Sequence, residues 1–304
     1  MNKPLRVVVV GSGGRMGAAL VRHLRGTPER FQVVAYDHKA MDLLRPAQID
    51  DHLHGIQFEA LINCAAMTNI ESCEDQPDAA SQVNTHAARQ MAEICDQRGA
   101  RMIQISTDYV YDGEHPGLRH ESDPTAPLSH YARTKWAGDQ AVLAVNASFL
   151  TARTSWVFGP DRPSFVDQIL RQAGTDEAVF GIGDKFSVPC YSADLAAWLA
   201  TLLELPTLSG VLNLCNAGEA SWQSYGQQAL EIASELGWPL RATSVTGTKL
   251  DDLTAFRAPR PRYTAMSPAR LEHAIQQKIR SWREALREYL HTFYLRSDTP
   301  PPNP

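Results

Sequence analysis

Runs of β-branched and other apolar residues alternate with longer amphipathic segments through the first half of this 304-residue chain. The strand-like runs lie at residues 5–10, 31–36, 59–66, 100–106 and 148–154, and the helix-length segments lie at 15–25, 45–54, 77–98 and 129–145. Continuously apolar strands are typical of a parallel sheet that helices cover on both faces. Because crossovers between parallel strands are right-handed, the pattern predicts an α/β, doubly wound parallel sheet of the Rossmann type.

The regular alternation ends near residue 155. Beyond it, Pro, Gly and Trp interrupt short apolar runs such as AVFGIGD and GVLNLCN, whereas SADLAAWLATLLEL (192–205) is a clear amphipathic helix. We therefore predict that residues 1–158 form a dinucleotide-binding domain, to which residues 190–206 return. Residues 159–304 are expected to form mainly a smaller C-terminal α+β region that binds the substrate.

Composition argues against several classes of partner. The net charge is −5, so the chain lacks the basic surface that nucleic-acid binding requires. No apolar run approaches the roughly 20 residues of a membrane-spanning helix. The five cysteines are scattered without a C-x-x-C pair and the histidines form no H-E-x-x-H pattern, which favours reduced thiols, no metal site and a cytoplasmic location.

A glycine-rich turn follows the first predicted strand in VVVVGSGGRMGAALVRHL. Gly11, Gly14 and Gly17 fit the spacing G-x-x-G-x-x-G, with Met16 inside the motif. A pyrophosphate needs close backbone N–H groups that a Cβ would obstruct, and the positive end of a helix attracts it. At this point in an alternating α/β chain, the turn predicts a dinucleotide site.

The choice of dinucleotide remains open at the sequence level. Asp37 ends the second predicted strand, where a carboxylate accepts hydrogen bonds from the adenosine ribose hydroxyls and favours NADH. A simple turn-forming aspartate is the alternative. Arg15 and Lys39 are cations that would attract the 2′-phosphate of NADPH, and Asp42 with Leu43 is placed to line the adenine.

The third predicted strand ends in small residues, INCAAMTN (62–69). Side chains as small as those of Ala65 and Ala66 would let a cofactor lie flat against the backbone. Small residues are also common in ordinary packing, so this segment supports the dinucleotide prediction without establishing it.

The candidate catalytic residues follow the fourth strand. Thr107 lies in ISTDYVYDG (105–113), at the carboxyl end of a parallel strand, where ligands bind in such sheets. Tyr131 and Lys135 lie one helical turn apart in SHYARTKWAGD. A carbonyl that receives a hydride needs a proton, which a tyrosine can donate. We expect Lys135 to lower the pKa of Tyr131 and to hold the nicotinamide ribose, and Thr107 to orient the carbonyl oxygen.

These residues resemble the extended short-chain dehydrogenase/reductase superfamily and, within it, the dTDP-4-dehydrorhamnose reductase family. The resemblance covers nearly the whole chain, through GSGGRMG, INCAAMTNIESCEDQPDAASQVN, STDYVYDG, HYARTKWAGD, RTSWVFG, GEASW and RPRYTAMSPARLE. It implies that Tyr131 is the proton donor, Lys135 its cofactor-holding partner and Thr107 the group that orients the carbonyl. It also implies contacts to the dinucleotide from Gly14, Arg15, Met16, Asp42, Leu43, Ala66, Met67 and Thr68, and contacts to a nucleotide sugar from Asp108 and Trp156.

The resemblance implies reduction of the 4-keto group of a nucleotide-diphospho deoxysugar with NADH or NADPH, and a homodimer as in some family members. Dehydrorhamnose bound to deoxythymidine diphosphate is the expected substrate. Two alternatives share the fold: a non-catalytic regulatory protein, like the regulatory subunit of methionine adenosyltransferase, and a nucleotide-sugar epimerase or dehydratase.

Overall fold

A computed structural model describes residues 3–293 of the protein. Residues 1–2 of the first predicted domain and residues 294–304 of the second lie outside the described part. The strands are β1 (Leu5–Val10), β2 (Phe31–Tyr36), β3 (Ala60–Asn63), β4 (Arg101–Thr107), β5 (Leu150–Thr154), β6 (Val157–Phe158), β7 (Val179–Ile182), β8 (Phe186–Ser187), β9 (Cys190–Tyr191), β10 (Gly210–Asn213), β11 (Ala220–Ser221) and β12 (Val245–Thr248). The helices are α1 (Arg15–Arg25), α2 (Pro46–His54), α3 (Ile70–Asp75), α4 (Pro77–Ser81), α5 (Ala87–Gln97), α6 (His130–Val145), α7 (Phe165–Thr175), α8 (Ser192–Leu203), α9 (Trp222–Glu235), α10 (Ala269–Ile275) and α11 (Trp282–Phe293).

One parallel sheet with the strand order β10-β5-β4-β3-β1-β2 forms the centre of the molecule. Alternate residues of β1 show why both faces need helices. Val7 and Val9 pack into a core with α1 and α8, whereas Val8 and Val10 pack into a second core with α2 and α5. All four valines are buried, which confirms the predicted doubly wound parallel sheet.

Two later segments join this sheet. Helix α8 packs against α1 on one face, and its leucines belong to the same core as Val7 and Val9. Strand β10 pairs with β5 and becomes the edge strand. The sequence interpretation assigned GVLNLCN to the smaller C-terminal region, but Gly210–Asn213 lies in the main sheet, because an apolar four-residue run does not by itself indicate which sheet it joins.

A separate core holds most of the C-terminal region together. It combines residues of α7, α9 and α11, and Trp282 and Tyr225 are among its largest fully buried side chains. The short parallel pair of β7 and β12 lies beside α9. Within residues 3–293, no helix is long and apolar enough to cross a membrane.

The predicted helix over residues 77–98 is interrupted by a π-helical turn at Gln82–His86. This turn sits directly against α6, since a Cβ on Gly138 would lie 2.2 Å from the Asn84 carbonyl oxygen. The close approach lets the Asn84 side chain reach into α6, where its amide donates to the Thr134 hydroxyl over 3.0 Å.

Candidate active site

A cleft of about 1020 Å³ runs along the carboxyl ends of the parallel strands. It is lined by the segments that follow β1 to β5 and by the first turns of α6. Of the sequence-predicted site residues, these line the cleft: Gly11, Gly14, Arg15, Met16, Asp37, Asp42, Leu43, Ala65, Ala66, Met67, Thr68, Thr107, Asp108, Tyr131, Lys135 and Trp156. Gly17 does not.

The glycine-rich turn is packed too tightly for side chains at two positions. Gly11 has φ of 81°, and a Cβ there would lie 2.5 Å from the backbone nitrogen of Ala65. A Cβ on Gly17 would lie 2.2 Å from the Gly11 carbonyl oxygen. Gly17 lets α1 pack against the turn, and its contact with the cofactor stays a prediction.

The start of α1 suits an anionic group. Gly14 is the N-cap residue, no side chain caps the helix, and its first turn contains no acidic residue. The N–H groups at a helix start lack intrahelical partners and carry the positive end of the helix dipole. This arrangement and the size of the cleft fit the pyrophosphate of a dinucleotide.

The Arg15 side chain is engaged elsewhere. Its guanidinium donates to the carbonyl oxygens of Val157, Arg162 and Pro163 over 2.9, 3.1 and 2.5 Å. Burial lowers the pKa of Arg15, although nearby Asp167 acts in the opposite direction. The expectation that this guanidinium attracts a 2′-phosphate is therefore not supported, because it already binds three backbone oxygens.

Asp37 stands directly after β2, as predicted. One oxygen of its carboxylate accepts from the backbone N–H groups of Lys39 and Ala40 at 3.0 and 2.9 Å. Asp37 therefore forms the turn of the alternative interpretation while it also lines the cleft. Because two N–H groups fix the carboxylate, it is held at the place where an adenosine ribose would bind in this fold.

The small-residue segment after β3 is held by asparagines from other elements. The Asn63 side chain accepts from the Ala65 N–H at 3.0 Å. Asn84 of the π turn accepts from the Met67 N–H at 2.9 Å and donates to the Met67 carbonyl oxygen at 3.1 Å. Sequence reasoning missed Asn84, because no local pattern predicts a π turn.

Thr107, Tyr131 and Lys135 meet at the other end of the cleft. The Ser129 side chain caps α6 by accepting from the Ala132 N–H at 3.2 Å, which fixes Tyr131 in the first turn. The side chains of Thr107 and Tyr131 both line the cleft, close enough for Thr107 to affect the pKa of Tyr131. Lys135 is buried one turn further along, and its ammonium donates to the Ile105 carbonyl oxygen of β4 over 2.6 Å.

The pKa of Tyr131 differs from the sequence-based expectation. Burial raises this pKa above its usual value, the Thr107 side chain opposes the rise, and the Asp108 carboxylate adds to it. The net shift is therefore opposite to the predicted lowering by Lys135, whose ammonium donates to a carbonyl oxygen of β4. Tyr131 is thus a protonated phenol at neutral pH.

Asp139 is a buried acid that the sequence analysis did not assign. It lies one turn after Lys135 in α6, and it accepts from the Ser106 hydroxyl at 2.5 Å. Burial raises its pKa to about 6, while the positive charge of Lys135 opposes that rise. The spacing of Tyr131, Lys135 and Asp139 at intervals of four residues was a signal that placed all three on one helix face.

Asp108, the residue after Thr107, is buried and interacts electrostatically with the buried Lys185. Asp108 accepts from the hydroxyls of Thr107, Ser187 and Thr264 at 3.2, 2.7 and 2.5 Å. Lys185 is fully buried, donates to the Pro261 carbonyl oxygen at 2.6 Å, and its ammonium lies 4.6 Å from the Tyr109 ring centroid. Burial lowers the pKa of Lys185 to about 8, and the charge of Asp108 opposes this change.

Trp156 combines backbone strain with an unpaired polar group. Its φ is 37°, a left-handed value that few non-glycine residues adopt. Within the described part of the chain, its buried Nε1 has no hydrogen-bond partner. The ring packs edge-on against Trp222 with the centroids 5.6 Å apart. Strain and an unpaired donor beside a cleft are features of ligand sites.

No group of three or more His, Cys, Asp or Glu residues among residues 3–293 could hold a metal ion. The absence of a metal site therefore remains a prediction for the chain as a whole.

The parallel sheet, the glycine-rich turn and the tyrosine–lysine helix define the class of extended short-chain dehydrogenases/reductases. Residues 5–295 match the family model described as RmlD substrate binding domain, so the chain belongs to this family.

Two curated relatives and one solved structure are similar to more than nine-tenths of this chain. A probable dTDP-4,6-dihydroxy-2-methyloxan-3-one 4-ketoreductase of Streptomyces antibioticus is 33% identical over 93% of this chain and 94% of its own. A dTDP-4-dehydrorhamnose reductase of Mycolicibacterium smegmatis is 33% identical, over 93% and 84%. The crystal structure of dTDP-4-dehydrorhamnose reductase from Bacillus anthracis in complex with NADP has a TM-score of 0.86 and 27% identity, over 95% and 99%.

Proposed function

We propose that this protein reduces the 4-keto group of a nucleotide-diphospho deoxysugar with NADH or NADPH, and that it converts dTDP-4-dehydrorhamnose to dTDP-L-rhamnose. The observation that carries the proposal is the meeting of Thr107, Tyr131 and Lys135 in one cleft with the glycine-rich turn. Membership of the family and full-length relatives that are named as 4-keto-sugar reductases support it.

The catalytic roles follow from the chemistry of carbonyl reduction. A bound NADH or NADPH supplies the hydride. The substrate oxygen gains negative charge as the carbonyl is reduced, and the Tyr131 hydroxyl donates a proton to it. The raised pKa of Tyr131 keeps this proton in place at neutral pH until it is needed. Water then returns a proton to the phenolate.

Thr107 and Lys135 serve Tyr131 in different ways. When substrate binds, the Thr107 hydroxyl turns its single hydrogen from Asp108 to the carbonyl oxygen and orients that oxygen toward the Tyr131 hydroxyl. The buried Lys135 ammonium stabilises the phenolate that remains after proton donation, and it binds the nicotinamide ribose. Asp108 positions the Thr107 hydroxyl through the hydrogen bond at 3.2 Å. Trp156 lines the cleft with a strained backbone, and we assign it to the contact with the sugar nucleotide.

A substrate panel tests the proposal. Purified protein is mixed with dTDP-4-dehydrorhamnose and related keto-sugar nucleotides, and the loss of NADH or NADPH absorbance is followed. We expect stoichiometric consumption of the reduced dinucleotide. An epimerase or dehydratase retains its cofactor through the cycle and would show no net consumption, and a regulatory protein would be inert with every substrate.

Three broader features are part of the same proposal. They are the division into a dinucleotide domain (1–158, with 190–206) and a mainly substrate-binding region (159–304), assembly as a homodimer, and a cytoplasmic location. The free state of all five cysteines supports a reducing compartment. Light scattering of the purified protein tests the dimer, with a monomer as the contradicting result.

A further inference from the structure

Three arginines connect the segment 156–163 to the glycine-rich turn and to helix α1 through hydrogen bonds and an ion pair. Arg15 in the turn binds three carbonyl oxygens of this segment. Arg22 in α1 forms a bidentate ion pair with Asp161, in which the two amino nitrogens lie 2.5 and 3.0 Å from the two carboxylate oxygens. In the opposite direction, the Arg162 Nε donates to the Gly13 carbonyl oxygen over 2.9 Å. The segment that begins with Trp156 therefore lies across the dinucleotide end of the cleft.

The three arginines differ in how much of each guanidinium is used. All the hydrogen-bonding nitrogens of Arg15 and both amino groups of Arg22 have partners. Arg162 uses its Nε alone, and its two amino groups have no hydrogen bond or ion pair within residues 3–293. Its side chain lines the cleft beside Gly13 and Gly14. The two amino groups of the Arg162 guanidinium are thus available for bidentate hydrogen bonds at the place where the turn would bind an anion.

The charges near Arg162 also favour an anion. The positive charge of Arg162 contributes to the lowered pKa of Arg15, so the two guanidinium groups repel each other across the turn. The nearest acid of the segment, Asp161, is already paired with Arg22. Negative charge placed between the turn and Arg162 would relieve this repulsion.

We propose that Arg162 is a cofactor-binding residue, which grips the dinucleotide pyrophosphate from the side opposite the N-terminus of α1. The hydrogen bond to Gly13 orients the Arg162 guanidinium. Arg15 and Arg22 hold the segment 156–163 in place. A bound dinucleotide then ties the Trp156 segment to the turn, so that cofactor binding stabilises the substrate end of the cleft. This inference rests on the proposed function, because it assumes that the cleft takes a dinucleotide.

Equilibrium binding to the full-length protein tests the inference without a turnover assay. The dissociation constants of NADH, ADP-ribose and adenosine are measured for the wild type and for Arg162→Gln, Arg162→Lys and Arg22→Gln. Adenosine lacks the phosphates, and Arg22→Gln removes an exposed ion pair of the same segment but leaves the Arg162 fork. We expect Arg162→Gln to bind NADH and ADP-ribose about 10- to 100-fold more weakly, as for charged hydrogen bonds.

The other variants should separate recognition from support of the segment. Arg162→Lys keeps the charge but loses the fork, and it should give an intermediate loss with a salt dependence like that of the wild type. Adenosine should bind equally to all four proteins, and Arg22→Gln should weaken NADH binding less than about threefold, as for an exposed pair. Circular dichroism and thermal unfolding confirm that the variants are folded.

Two results would overturn the inference. One is NADH binding by Arg162→Gln within twofold of the wild type. The other is an equal loss for adenosine and ADP-ribose, which would make Arg162 only a support of the segment. Wild-type protein that binds neither NADH nor NADPH would contradict the proposed function and the inference together, whereas normal wild-type binding with an unaffected Arg162→Gln contradicts the inference alone.

Discussion

The two ends of the cleft are built from different parts of the polypeptide. The dinucleotide end consists mainly of backbone, where Gly11 and Gly17 allow the turn, α1 and the segment after β3 to approach within distances that exclude a Cβ. The catalytic end consists of buried side chains, with Lys135 and Asp139 on α6 and Asp108 with Lys185 behind Thr107. Shape therefore governs the first end, and the electrostatics of a desolvated site govern the second.

The comparison predicts which substitutions act on binding and which on turnover. A change at the backbone end should weaken the dinucleotide complex, since it moves the N–H groups that hold it. A change at the side-chain end should leave that complex intact and slow the chemical step or alter its pH dependence.

Tyr131→Phe should have the largest effect. The variant retains the ring that packs edge-on against Tyr109 but loses the proton. We expect kcat to fall by about 10³-fold, within the range for a general acid, while the NADH dissociation constant changes less than twofold. Steady-state kinetics and fluorescence titration measure the two quantities.

Tyr263→Phe, which alters a tyrosine outside the cleft lining, is the control and should retain wild-type kcat. Equal losses of binding and turnover would contradict the separation of the two ends.

Gly11→Ala should disrupt the glycine-rich turn and weaken NADH binding. The added Cβ meets the Ala65 nitrogen at 2.5 Å and the residue must keep φ of 81°. Strain and overlap together cost about 3 kcal/mol, which corresponds to roughly 100-fold weaker NADH binding if the turn moves. Isothermal titration calorimetry measures the loss.

Gly237→Ala is the matched control for Gly11→Ala. It has nearly the same φ, 82°, but nothing lies within 4 Å of its added Cβ. It should lower the free energy of unfolding by about 1 kcal/mol through strain alone and leave NADH binding unchanged. Equal binding losses in both variants would show that φ strain, not close packing of the turn, governs the site.

Lys185 should make the stability of the protein depend on pH. Its pKa falls from 10.5 to about 8 on folding, so above pH 8 the folded state binds fewer protons than the unfolded state. Stability must therefore rise with pH in this window, by roughly 2 kcal/mol between pH 7.5 and 9.5. Urea unfolding of the wild type and of Lys185→Met at both pH values measures the difference.

The Lys185→Met variant should lack this pH-dependent gain, because methionine does not titrate. Lys278→Met removes an exposed lysine and should retain the gain seen in the wild type. Parallel pH dependence in the wild type and Lys185→Met would mean that the lysine keeps an ordinary pKa despite its burial.

Asp139→Asn should have the smallest effect. Because burial raises the Asp139 pKa to about 6, the acid loses its proton as the pH rises through 6, and its negative charge then supports the Lys135 ammonium. In the wild type, kcat/KM should rise a few-fold between pH 5 and 7. In Asp139→Asn this inflection should disappear. An unchanged profile would show that Asp139 serves only to hold Ser106.

The sequence predicted the backbone end more completely than the side-chain end. Gly11 and Gly14 were found by their spacing, because tight packing of a turn requires glycine at fixed intervals. The close packing of Gly17 against the turn was not predicted, since spacing does not distinguish a glycine that faces a ligand from one that faces the backbone. The use of Arg15 by the 157–163 segment depends on a tertiary contact that a motif does not encode.

At the catalytic end, Thr107, Tyr131 and Lys135 were predictable because two lie on one helix and the third ends a strand beside it. Lys185 and Asn84 were not, since only folding brings Lys185 beside Tyr109 and Asn84 beside Met67. The expected effect of Lys135 on Tyr131 was wrong for an energetic reason. Sequence spacing shows that two groups are near each other, but the pKa also depends on burial, and here burial is the larger influence.

Isotope tracing shows whether the hydride of the dinucleotide reaches the sugar. Wild-type protein is incubated with dTDP-4-dehydrorhamnose and NADH that carries deuterium at the transferring position of the nicotinamide, and the product is analysed by NMR and mass spectrometry. We expect one deuterium at C4 of the product sugar for each dinucleotide oxidised. Product without deuterium at C4, or deuterium that returns to the dinucleotide without net oxidation, would contradict it.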